Sequence, residues 1–278
     1  MTRAAARKLP SVTRRPLLPL FGFVLVAACH SRSTTTPQIG VAFPGDSSSF
    51  SQDLRRAMQH AADSLHLALH LDTQATRMDA MVIAPGNGGG SEVTIEGANG
   101  QVVSGVVSDT RQGGRLLGEY VARRLEGGGN VAILDQPSVA SVRELVAGFR
   151  EALASYPNIR IVAAPAIEAG GRDVARQKMG NLLATDQPIN AVFATDDAGT
   201  LGAVTAIAAA GRKGIFVVGY DPGPQSRAAF NQGTVIGAYA APDPTAIGQR
   251  VIEVVAAQLK GAPVTARVLV PVTVVSRP

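Results

Sequence analysis

The chain has 278 residues, 46% of them apolar and 17% charged, which suits one large domain or two smaller lobes and excludes general disorder. Aromatic residues make up 4% and Trp is absent, which argues against stacking platforms for single-stranded nucleic acid. The formal net charge is +5, yet Arg3, Arg7, Lys8, Arg14 and Arg15 all precede residue 29 and no acidic residue does. The rest of the chain sets 21 basic residues (26 less those five) against 21 acidic ones. No basic excess remains for phosphate binding, so a nucleic-acid binder is excluded.

The amino terminus reads as a targeting segment. A positive stretch over residues 1–15 leads into the apolar run Pro16–Ala28, too short for a hydrocarbon core that needs roughly 20 apolar residues. The run ends in Leu25-Val26-Ala27-Ala28-Cys29, which resembles the bacterial lipobox, where the Cys is lipidated and becomes the first mature residue. Cys29 is the only cysteine, so no disulfide can form within one chain. Residues 1–28 are thus expected to be a lipoprotein signal peptide. Residues 29–37 are a polar tether on composition.

From Gln38 onward apolar runs alternate with helical stripes. Strands are expected at Ile39–Phe43, Ala68–Leu71, Met81–Ala84, Val93–Ile95 and Val102–Val107. More follow at Val131–Leu134, Ile159–Ala163, Ala191–Ala194, Phe216–Val218, Val235–Ala238 and Val268–Val275. Phe50, Leu54, Ala57, Met58, Ala61 and Leu65 recur at helical spacing behind Ser48 and Ser49 as candidate caps. Further helices are expected at Arg111–Leu125, Val139–Ser155, Arg172–Leu183, Ala198–Ala210 and Thr245–Leu259. Continuous apolar strands between amphipathic helices imply an α/β fold with parallel sheets covered by helices.

Several segments in order resemble the periplasmic sugar-binding proteins of the ribose-binding type, whose fold is shared by lactose-repressor-like effector domains. They are Val102-Val103-Ser104 through Ser108-Asp109, then Gly113-Gly114-Arg115-Leu116-Leu117-Gly118-Glu119-Tyr120. Arg143, Gly148-Phe149, Asn190–Asp197 and Leu201-Gly202-Ala203 continue the series, followed by Val217-Val218-Gly219-Tyr220-Asp221 and Pro242-Asp243. The resemblance implies two doubly wound Rossmann-like lobes joined by three crossovers, near Ser108, Ala240 and Arg267, that close on a ligand by hinge motion. It divides the chain into an amino-terminal lobe, residues 38–108 plus 241–267, and a carboxy-terminal lobe, residues 109–240 plus 268–278. Two departures stand out. The connections before Met81 and before Val93 are shorter than the dozen residues a parallel crossover needs, so the amino-terminal lobe lacks two helices. Its sheet is then either partly antiparallel or poorly covered on one face, and this lobe is expected to be the weaker one.

The second departure is in the pocket. By resemblance the ligand-binding positions are Ser48, Phe50, Glu96, Arg143, Asp196 and Asp221. The family's sugar-gripping Arg is replaced by Leu145, with Arg143 nearby, and the family's Asp-Arg pair appears as Glu96-Gly97. A second-lobe aromatic falls at about Gly170, and the family Gln at Ala240. A carboxylate-rich cleft suits a polyol, an amino sugar or another cation-bearing solute better than ribose. Each position has a plainer reading beside it. Asp197 reads as a helix cap, Asp221 before Pro222-Gly223 as a turn, and Phe50 as core. Arg143 reads as a surface charge and Glu96 as a residue of the turn at Gly97–Gly100.

Enzyme signatures are absent from the sequence. It has no G-x-G-x-x-G after the first strand, no G-x-x-x-x-G-K-[ST] and no G-x-S-x-G, and the spacing of His60, His66 and His70 does not suit a shared metal site. No catalytic residue, cofactor or metal is expected. The expectation is a monomeric, extracytoplasmic, lipid-anchored solute-binding protein that delivers a small polar ligand to the permease of an ABC importer. The alternative is a sensor presenting its closed form to a membrane receptor. A cytoplasmic regulator would need a DNA-binding helix-turn-helix before Gln38, which residues 1–37 cannot form.

Overall fold

The computed structural model describes residues 36–43, 49–71, 78–84, 92–167 and 171–277. Cys29, Ser48 and Gly170 lie outside them. Two six-stranded sheets stand in sequence, ordered β11-β5-β4-β3-β1-β2 and β12-β10-β9-β8-β6-β7. The first takes β1 (Gln38–Ala42), β2 (Ala68–Leu71), β3 (Ala80–Ile83), β4 (Val93–Gly97), β5 (Val102–Ser108) and β11 (Arg267–Val270). The second takes β6 (Gly128–Leu134), β7 (Asn158–Ala163), β8 (Ala191–Ala194), β9 (Phe216–Tyr220), β10 (Ile236–Ala241) and β12 (Thr273–Ser276).

The second lobe is wound on both faces. The helices α2 (Thr110–Arg124) and α3 (Ala140–Leu153) pack with Val131, Ile133, Phe193 and Val218 on one face. On the other, α4 (Gly171–Leu183) and α5 (Asp197–Ala209) pack with Ala132, Leu134, Val192 and Val217. The alternation of strand side chains assigns successive residues to opposite cores. An unpredicted helix, α6 (Pro224–Asn231), follows β9. Its stripe of Ser226 and Phe230 is too short to register as a period in the sequence. The contact between α2 and α3 explains the glycines of the second lobe. A Cβ on Gly114 would stand 1.8 Å from the Leu145 carbonyl oxygen, and one on Gly148 2.0 Å from that of Arg111. Any side chain there would force the helices apart.

Among the described residues, the first lobe has one covered face. The helices α1 (Ser49–Ser64) and α7 (Pro244–Leu259) bury Leu54, Met58, Val251 and Ile252 against Ile39, Val41, Val82, Val93 and Ile95. The opposite face carries Gly40, Met81, Ile83, Thr94 and Leu269, none of which joins a core cluster among the described residues. The direction of the strands changes as well. The pairs β1–β2 and β1–β3 are parallel, whereas β3–β4 and β4–β5 are antiparallel. Both alternatives left open by the short connections therefore hold. Nine residues separate Ile83 from Val93, enough for a hairpin but too few for a helix and a parallel return.

The chain passes between the sheets three times. The first crossing is at Ser108-Asp109, where Asp109 Oδ1 accepts from Gln112 N (2.8 Å) and caps α2. The second is at Pro242-Asp243, where Asp243 Oδ1 accepts from Thr245 N and Ala246 N (2.9 and 3.0 Å) and caps α7. Two crossings thus coincide with aspartate caps, which fix the helix axis where the chain changes lobe. The third differs from expectation: the run Val268–Val275 is two strands, not one. Val270 pairs with Ser108 in the first sheet and Thr273 with Ala241 in the second, so the crossing lies at Pro271-Val272 and not near Arg267. Pro271 has no N–H to continue a ladder, and Val272 N donates to Gln112 Oε1 (3.1 Å).

Candidate functional site

A cavity of about 660 Å³ opens where the crossings meet. The first lobe contributes Glu92, Val107 and Arg267 to it. The second contributes the loop after β6 and the start of α3 (Gln136, Val139–Glu144), Thr195-Asp196 after β8, and Tyr220-Asp221 after β9. Loops that follow parallel strands converge here because every strand of a parallel sheet ends on the same side.

Three of the expected site residues meet in this cavity: Arg143, Asp196 and Asp221. Arg143 stands in the first turn of α3, and its Nη1 donates to the carbonyls of Pro137 and Ser138 (3.0 and 3.1 Å), holding the loop that enters the helix. Leu145, at the position of the family's Arg, is fully buried in the core. Asp196 corrects the expected capping. It is Asp196, not Asp197, that caps α5: its Oδ1 accepts from Gly199 N (2.6 Å) and its Oδ2 from Gln136 Nε2 (2.5 Å). Its extended backbone (φ −152°) is the geometry a cap requires, while Asp197 is already helical and its Oδ1 accepts from Gly223 N (2.8 Å).

Asp221 sits in the left-handed region (φ 51°), so the turn reading holds for its backbone. Its side chain nevertheless faces the cavity. Desolvation among the surrounding protein atoms raises its carboxyl above the usual range; Arg227 opposes this and Asp197 adds to it. Beside it, burial also pushes the Tyr220 phenol up, reinforced by the negative charges of Asp221 and Asp109. The Tyr220 hydroxyl is buried and has no hydrogen-bond partner among the described residues. It therefore remains a protonated donor without an acceptor among the described residues.

Two expected residues stand apart. Phe50 packs its half-buried ring against the core beneath α1 and does not line the cavity. Glu96 is displaced for a topological reason. Because β4 runs antiparallel to β5, its carboxyl end lies beside Val102, away from Ser108 and the crossings. The amino end of β4 faces the cavity in its place, and Glu92 is the carboxylate there. Glu92, Tyr220 and Arg267 are the residues that sequence reasoning missed. Tyr220 stood in a recognised motif, but nothing in the sequence reports an unpartnered hydroxyl. The position of Glu92 follows only from the direction of its strand.

Two α/β lobes, three crossings and a cavity at their junction lined by ionisable side chains define the architecture of a two-lobed binding protein. A family model described as a periplasmic binding protein domain matches residues 91–263, and the chain belongs to that family. It is 33% identical over 177 residues to the ribose import binding protein of Escherichia coli (strain K12), across 62% of this chain and 57% of that protein. The match thus spans little more than half of that relative's length. The ribose import binding protein of Bacillus subtilis (strain 168) is 30% identical over 215 residues, covering 75% of this chain and 67% of that one. Among solved structures, an arabinose binding protein from Geobacillus stearothermophilus superimposes with a TM-score of 0.74 at 16% identity. That alignment covers 87% of this chain and 97% of the other. No helix among the described residues is long and apolar enough to cross a membrane.

Proposed function

We propose that the chain is an extracytoplasmic solute-binding lipoprotein. It captures a small polyhydroxylated ligand, sugar-like or polyol, between its lobes and delivers it to the permease of an ABC importer. It acts as a monomer, without catalysis, and is held to the membrane through a lipid on Cys29. The observation that carries the reading is the cavity at the crossings, where both lobes present ionisable side chains to one cleft. A ligand bridging the two walls favours closure only through contacts that the open form lacks. Family membership and the names of its relatives support a sugar or polyol as the solute. Within the cavity, Arg143, Asp196 and Asp221 are the second lobe's ligand contacts. Asp196, with both oxygens already engaged, offers only its remaining lone pairs.

The test is calorimetric titration of the mature protein with D-ribose, D-allose, D-arabinose, D-apiose and xylitol. Saturable binding of one of them, with a compaction seen by solution scattering, is the expected result. Binding to none of the five would refute the reading. The anchor has its own test: Cys29→Ala should move the protein from the membrane fraction to the soluble one, and an unchanged membrane fraction would refute lipidation.

A further inference from the structure

On the wall that the first lobe presents to the cavity, two opposite charges flank one glycine. The side chain of Glu92 lies across Gly105 of β5: a Cβ on that glycine would stand 2.8 Å from Glu92 Oε1, and the three nearest atoms among the described residues all belong to Glu92. On the far side of β5, Arg267 of β11 is in direct register with Gly105. Alternation along the strands puts Glu92, Gly105 and Arg267 on the face turned away from α7, because Val93, Val106 and Val268 between them pack toward that helix. The strands β4 and β11 lie one strand apart across β5, a separation of roughly 10 Å at ordinary sheet spacing. Among the described residues neither charge makes an ion pair with the other or with any third group. Both line the cavity.

An acceptor lying over Gly105 and a planar donor on the neighbouring strand form a seat for a group that both accepts and donates. Hydroxyls on neighbouring carbons do this: one donates to the carboxylate while the other accepts from the guanidinium. We propose that Glu92 and Arg267 are the first lobe's ligand-gripping pair, and that they select for a ligand with adjacent hydroxyls facing the wall opposite Asp221. Gly105 is a positioning residue, since its missing side chain lets the Glu92 carboxylate reach across the strand. The proposal rests on the solute-binding reading and names the part of the site that decides specificity.

The test takes whichever of D-ribose, D-allose, D-arabinose, D-apiose and xylitol the parent binds and measures affinity for Glu92→Gln, Arg267→Gln and Gly105→Ala. Charge-assisted hydrogen bonds support a loss of about tenfold or more for each of the first two. Their exposed side chains leave the unfolding temperature of the unliganded protein close to the parent's. In Gly105→Ala the new methyl meets only the end of a flexible side chain, so the lobe folds while the carboxylate is pushed aside, and affinity falls with Glu92 still present. Arg250→Gln, on the outer face of α7, serves as a control and keeps parental affinity. If all three cavity variants bind as the parent does, the pair is overturned and the solute-binding reading stands. If the parent binds none of the five, both are overturned together.

Discussion

The two lobes are built from the same kinds of element and reach different states of completion. In the second lobe helical crossovers link the parallel strands β6, β7, β8, β9 and β10, and helices cover the sheet on both faces. In the first lobe the short connections on either side of β4 put it antiparallel to both of its neighbours, and Met81 and Ile83 are half-buried on a face that no helix among the described residues covers. The comparison shows that connection length does more than remove mass from a lobe. By reversing a strand, it changes which residue the lobe offers to the cavity: Glu92 and not Glu96.

If the second lobe is the more stable unit, the largest effect should come from breaking it. Phe149 is fully buried and stacks on Phe193 at 4.2 Å between ring centroids. Phe149→Ala should cost about 3–5 kcal/mol, as aromatic deletions in close-packed cores do. Native-state hydrogen exchange should show β3 and β4 opening before β6 and β8 in the parent, with the gap narrowed or erased in the variant. Slower exchange in β3 and β4 than in β6 and β8 of the parent would reverse the ranking of the lobes.

Asp221 probes the second lobe's wall of the cavity. Losing a charge-assisted contact of about 1.5–3 kcal/mol weakens ligand binding by one to two powers of ten, so Asp221→Ala should do so while the fold stays intact. Parental affinity in that variant would leave Asp221 with its turn role alone. Its raised carboxyl adds a signature in pH. The folded state disfavours the charged form, so Asp221 costs stability once the pH climbs through its raised range. It costs nothing when the pH is low enough to protonate it in the unfolded chain too. Asp221→Asn should therefore stabilise the unliganded protein at neutral pH, and thermal unfolding should show that gain fading as the solution is acidified.

Tyr220→Phe is the finest of these comparisons. It keeps the ring that packs against Gly113 in the first turn of α2 and removes only the orphaned hydroxyl. Without ligand the variant should match or slightly exceed the parent in stability, within about 1 kcal/mol, because a buried hydroxyl without a partner is lost. A clear loss of stability in unfolding experiments would mean that the hydroxyl is satisfied by ordered water in solution.

Much of this molecule is legible from the amino-acid order. The alternation of apolar runs and helical stripes announces two α/β lobes, and the ordered motifs from Val102 to Asp243 identify the family fold. Local chemistry is legible where a residue acts on its neighbours in sequence, as Asp109 and Asp243 do when they cap the helices that follow. Arg143, Asp196 and Asp221 were expected at the site through the family resemblance, and the segments that follow β6, β8 and β9 bring them to the cavity. The remainder depended on which strands pair and in which direction. The short connection before Val93 excluded a parallel crossover, but only the pairing with β3 and β5 decided which end of β4 faces the cavity. The run Val268–Val275 reads as one strand until Val270 pairs with Ser108 and Thr273 with Ala241, in different sheets. Periodicity reports which side chains share a face, whereas strand direction and sheet membership are settled by hydrogen bonds to other strands, in β11 to residues more than a hundred positions away. Those bonds put Arg267 beside Gly105 and brought it into one wall of the cavity with Glu92 and Val107.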